Sequence, residues 1–133
     1  MRTKTCLTAD DVKKMLAAAE IVARAHGWGV AIVILDDGAH PMGLLRLDGA
    51  TAANVDIAMA KAHTAARMQR PTKAWADRLE AGNLLTLALP VMPAQGGLPI
   101  MLKGECIGAI AASGVKGEED EQVAQAGIDA LNL

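Results

Sequence analysis

Hydrophobic residues recur along this chain in two rhythms. Val12, Met15, Leu16, Ala19, Val22 and Ala23 are spaced by threes and fours, which lines one side of a helix. Thr8 stands before them with Asp11 three residues on, a variant of the capping box, and Gly27 offers a stop, so a helix is expected over roughly 9–26. Trp28 to Asp36 is instead an unbroken apolar run rich in Val and Ile, which reads as a strand covered on both faces. Asp36-Asp37-Gly38 supplies a turn, after which Met42–Asp48 can return antiparallel. Alternation then puts Leu45 and Leu47 on one face and Arg46 and Asp48 on the other.

The helical rhythm resumes over roughly 51–69, with Val55, Met59, Ala62 and Ala66 on the buried side. Lys61 and Thr64 lie one turn apart there, while Asp56, His63, Arg67 and Arg70 group on another side. Pro71-Thr72 breaks this helix and opens a shorter one, roughly 73–81, ended by Gly82-Asn83. Leu84–Gly97, interrupted by Pro90 and Pro93, has the weakest pattern and is read as an edge or a lid with room for one short strand. Leu98–Lys103 and Cys106–Ser113 form a hairpin around Lys103-Gly104-Glu105, and the acidic run Glu118–Glu121 opens a terminal helix. The order implies an α/β fold, a mainly antiparallel sheet of four or five strands with helices packed against it, forming one domain over residues 1–133. Strands joined by short turns exclude a doubly wound parallel sheet, which needs long crossovers.

Composition narrows the interior. Hydrophobic residues make up 52% of the chain, yet Phe and Tyr are absent and only two Trp occur, so small and aliphatic side chains must fill the core and let elements approach closely. A net charge of −2 with mixed signs gives no field to gather phosphates, so nucleic acid is not an expected partner. Cys6 and Cys106 are too few for a disulfide scaffold. No apolar run reaches a membrane-spanning length and no signal core appears at the start, so a cytoplasmic, membrane-free protein is expected.

Few residues carry chemistry by pattern alone. His26, His40 and His63 lack metal-site spacing, and no zinc motif is present, so no metal site is assigned. Ser113 is not framed as a hydrolase elbow. Gly96-Gly97 is open to two readings: amides bared toward an anion, or a turn needing positive φ. Lys61, the one long cation among alanines, is likewise either a carboxylate ligand or a solvated lysine. Met42, Met59, Met68, Met92 and Met101 read as core packing ahead of a deformable pocket.

Six motifs taken together resemble the GlcG/HbpS-like haem-binding family, and are similar to the C-terminal domain of propanediol-utilisation corrinoid adenosyltransferases. They are Val33-x-x-Asp36-x-Gly38, Arg46-Leu47-Asp48-Gly49, Ala58-x-x-Lys61-Ala62-x-Thr64-Ala65, Gly96-Gly97-Leu98-Pro99-Ile100, Ile107-Gly108-Ala109-x-x-x-Ser113-Gly114 and Asp120-Glu121-x-x-Ala124-x-Ala126-Gly127. The resemblance implies a profilin-like α/β/α sandwich, a mainly antiparallel five-stranded sheet with helices on both faces, together with assembly into dimers or larger even-numbered rings, and in some members a site for haem or a corrinoid. It assigns no axial iron ligand here, and the aromatic walls common in porphyrin pockets are nearly missing from this composition.

The expectation is therefore a homo-oligomeric small-ligand-binding protein, haem or a related tetrapyrrole being the first candidate. Its site would gather Arg46, Asp48, Lys61, Thr64, Gly96, Gly97 and Ser113. The alternatives are a small enzyme acting on an anionic catabolic intermediate, with Arg46 and Lys61 holding a carboxylate and Asp48 or Asp36 moving a proton, or an accessory protein to such an enzyme.

Overall fold

Two threonines start the first two long helices. Thr8 accepts the Asp11 amide while the Asp11 carboxylate accepts the Thr8 amide at 2.8 Å, and Thr51 and Asn54 repeat the exchange. The computed structural model describes residues Met1–Leu133. In chain order its elements are α1 (Ala9–Ala25), β1 (Ala31–Asp36), β2 (Pro41–Arg46), α2 (Ala52–Met68), α3 (Lys73–Glu80), β3 (Gly97–Leu102), β4 (Glu105–Ser113) and α4 (Gly117–Asp129). The sheet runs β2-β1-β4-β3 and every neighbouring pair is antiparallel. No helix is long and apolar enough to cross a membrane.

Alternation along the central strands divides the interior in two. Ile32, Ile34 and Ile110 turn toward α1 and α4, where they meet Met15, Ala19 and Val123. Ala31, Val33, Ala109 and Ala111 turn the other way, toward Ala58, Ala62, Ala65 and Ala66 of α2. Because both surfaces of that second layer are methyl-sized, α2 lies close over β1, β4 and β3. It does not cover β2, which leaves Leu44 exposed on that side. On the opposite side Gly43 admits α1: a Cβ there would fall 2.6 Å from Val12 Cγ1.

The sheet has four strands where five were expected. Leu84–Ala88 instead winds into a 3-10 turn, and the stretch beyond it contains Pro90 and Pro93, which have no amide to offer a ladder. That segment runs as irregular chain until the Gly96 carbonyl accepts the Ala112 amide and β3 begins. Pro99 is tolerated because β3 is an edge strand. The hairpin turn is Lys103-Gly104, both with positive φ, as a two-residue connection requires.

Candidate functional site

Lys61 sits on the alanine stripe of α2, between Ala58 and Ala62, and is 3% exposed. Its Nζ donates to the Ala112 carbonyl at 3.1 Å and to Asp120 Oδ2 at 2.9 Å. Asp120 occupies the matching place on α4: with Val123, Ala124 and Gly127 it forms the buried stripe, and it is 2% exposed. Its other oxygen accepts the Val115 amide at 3.1 Å. Burial pushes the Asp120 carboxyl above its ordinary range, opposed by the hydrogen bond from Lys61. The pair holds α2, β4 and α4 together at one end of the sheet.

The double glycine makes room for this contact. A Cβ on Gly96, whose φ is +134°, would lie 2.7 Å from Lys61 Nζ and 2.9 Å from Asp120 Cβ. One on Gly97 would lie 2.7 Å from the Lys61 carbonyl oxygen. Gly96 does have the positive φ of the turn reading, and the packing adds a need for close approach that neither reading included. The Gly97 amide is not bared: it donates to Thr72 Oγ1 at 2.9 Å, and the Gly97 carbonyl accepts the Thr72 amide.

Above the ion pair opens a cavity of about 790 Å³, walled by α2, one face of α3 along its whole length, the Pro93–Gln95 stretch and the first turn of α4. Lys61, Asp120 and Ser113 form its floor; Lys73, Glu80 and Glu118 stand at its rim. Ser113 ends β4 on the α2 side of the sheet, is 4% exposed, and its hydroxyl engages no group of the chain. The proline-containing segment read as an edge or lid thus supplies one wall.

Four residues grouped with Lys61 from the sequence, Arg46, Asp48, Thr64 and Asp36, stand apart from the cavity. Arg46 shares a cross-sheet row with Ala31 and Ser113, but two strand spacings, roughly 10 Å, separate it from Ser113, and its Nε donates to the Ala50 carbonyl at 2.9 Å. Asp48, beyond the end of β2, lines a separate cleft with Arg24 and Trp28. Thr64 is buried one turn along α2, where its hydroxyl accepts the Met92 amide at 2.8 Å and so anchors the cavity wall. Asp36 pairs with Gly108, five residues along β4 from Ser113 and roughly 17 Å away. Its carboxylate accepts the Gly38 and His40 amides, and the His40 amide is the main cause of its lowered pKa.

Asp120, Glu80 and Gln95 are site residues that the sequence reading passed over. For Asp120 a signal existed: it is the member of the acidic run that falls in phase with Val123, Ala124 and Gly127. An acid on one apolar stripe and a lysine on another are a candidate buried pair.

A family model described as haem degrading protein, HbpS-like, matches residues 7–129. The chain belongs to the HbpS-like family. It is 33% identical over 114 residues to protein GlcG of Escherichia coli K12, covering 85% of each chain. HbpS of Streptomyces reticuli, solved as a double mutant, superposes with a TM-score of 0.88 at 32% identity, over 98% of this chain and 90% of that one. PduOC, solved as a haem complex, gives a TM-score of 0.89 at 27% identity over 96% of both. HbpS-like membership agrees with the antiparallel sheet and helices on both faces seen here.

Proposed function

We propose that this chain is a small-ligand-binding protein whose site is the cavity over Lys61 and Ser113. The observation that carries the reading is the Ser113 hydroxyl: it bonds no group of the chain and, unlike the sealed Thr86 hydroxyl, opens onto the cavity, where a ligand can meet it. A thermal-shift screen of small polar metabolites tests it. At least one compound should raise the melting temperature of the wild type more than that of Ser113→Ala; a library that never separates the two proteins rejects the site.

Haem is the first ligand suggested by the relatives. The residues of this cavity do not fit it. No histidine, cysteine, methionine or aromatic ring lines the wall, and Glu80 and Glu118 would repel the propionates. Hemin titration decides between haem and other ligands: no saturable Soret shift at micromolar protein removes haem, and a shift that survives Ser113→Ala places it elsewhere on the molecule. The reading of an enzyme clamping a carboxylate between Arg46 and Lys61 has no support in this geometry, since Lys61 already holds Asp120 and Arg46 lies outside the cavity.

An even-numbered homo-oligomer belongs to the same reading. Leu84, Leu85 and Leu87 are 69, 67 and 65% exposed on the 3-10 turn, close to Thr86 Oγ1, which is buried without a partner. A second copy would cover them. Light scattering should give a multiple of the 13.8 kDa chain mass, reduced by Leu85→Glu. The reading places the protein in the cytoplasm, which fractionation of the native host checks.

A further inference from the structure

The cavity has an internal polarity. At its floor, two donors face inward without a full set of partners: the Ser113 hydroxyl, and Lys61, which has three N–H bonds and spends two on Ala112 and Asp120. At its rim the charges are of the other sign. The lining contains two lysines against four carboxylates, a balance of −2. Both lysines are engaged, Lys61 by Asp120 and Lys73 by Asp77 at 2.8 Å, and neither Glu80 nor Glu118 forms an ion pair. Glu121 adds to this field from the flank: it and Glu80 both help to hold the Lys73 ammonium in its charged form, after Asp77.

A ligand lying along this cavity therefore meets hydrogen-bond donors with its inner end and negative charge with its outer end. An anion suits the floor only by displacing Asp120 and is repelled at the rim. A metal ion is not favoured either, because no three carboxylates, histidines or thiols converge. Building on the cavity as the binding site, we propose that it selects a small organic cation carrying an oxygen acceptor, an amino alcohol or amino sugar, with the oxygen at Ser113 and Lys61 and the ammonium between Glu80 and Glu118.

Glucosamine, glucose and glucuronate share one frame and differ in charge, so titrating the three by calorimetry and amide NMR tests the inference. Glucosamine should bind about fivefold tighter than glucose, the scale of two exposed ion pairs, and glucuronate more weakly than glucose. Shifts should centre on Ser113 and Gly114. Glu80 and Glu118 are exposed, so the Glu80→Gln/Glu118→Gln protein should fold normally. It should bind glucosamine no more tightly than glucose, with Ser113 still shifting on addition of either. Glucuronate binding as tightly as glucosamine, with Ser113 shifting, overturns the cation selectivity and leaves the cavity as the binding site. No shift at Ser113 with any of the three overturns the inference altogether, while the metabolite screen judges the site independently.

Discussion

The two faces of the sheet solve the packing problem in opposite ways. Toward α1 and α4, Ile32, Ile34, Ile100, Ile110 and Met15 make a dry layer of large aliphatic side chains. Toward α2, alanine meets alanine. The first layer gains from area, at about 1.5–3 kcal/mol for each large side chain fully buried. The second has little area per residue and gains instead from proximity, and from it Lys61 reaches the Ala112 carbonyl of β4. Stability is thus concentrated on one face, and the polar floor of the cavity depends on the other.

Breaking the ion pair should produce the largest effect. Lys61→Ala leaves the Asp120 carboxylate buried without its cation, an expected loss of about 3–5 kcal/mol in urea unfolding. Lys61→Met with Asp120→Leu should recover most of that loss, because two apolar side chains of similar length need no desolvation. A double variant as unstable as the single one would show that the hydrogen bonds to the Ala112 carbonyl and the Val115 amide, which methionine and leucine cannot make, outweigh the cost of burying the charges.

On the aliphatic face, Ile110→Ala removes a fully buried side chain and should cost about 3 kcal/mol by thermal or urea denaturation. The alanine face should respond to the reverse change. Ala111→Val adds volume beneath α2 and is expected to cost about 1–3 kcal/mol, although valine is the better strand former. Since strand propensity favours the variant, any loss measures the helix-to-sheet spacing directly. A neutral Ala111→Val would mean that α2 can lift from the sheet, and with it Lys61 from Ala112.

This division was partly legible beforehand. The helix starts at Thr8 and Thr51, the central strands and the 103–104 turn follow from local chemistry, where side chain and backbone are neighbours in sequence. The missing fifth strand had its reason in view too, in Pro90 and Pro93. Harder to read was which charges converge. Arg46 and Lys61 are both cations on the α2 side of the sheet, and nothing within either motif says that one caps Ala50 while the other is buried. Lys61, Gly96 and Ser113 do come together, but their shared partner, Asp120, lay inside an acidic run whose helix-dipole role hid its phase with Val123 and Ala124. Pairing between elements about sixty residues apart depends on register and helix placement, which periodicity does not supply.

His63 offers the smallest and most selective probe of the α2 side. It is half-buried, and that burial first, then Arg67, then His40, holds its imidazole below the ordinary histidine range. The folded pKa is therefore depressed relative to an unfolded value of about 6.5. As pH falls below the unfolded value, the unfolded chain takes up the proton before the folded one does, so stability declines until the folded group also titrates. Asp120 works in the opposite sense, its raised pKa favouring the folded chain as acid is added, so the raw pH profile mixes the two. Comparing wild type with His63→Gln between neutral pH and pH 5 isolates the histidine. The urea midpoint of the wild type should fall relative to the variant across that window, and parallel profiles would mean that α2 leaves His63 as freely solvated in the folded chain as in the unfolded one.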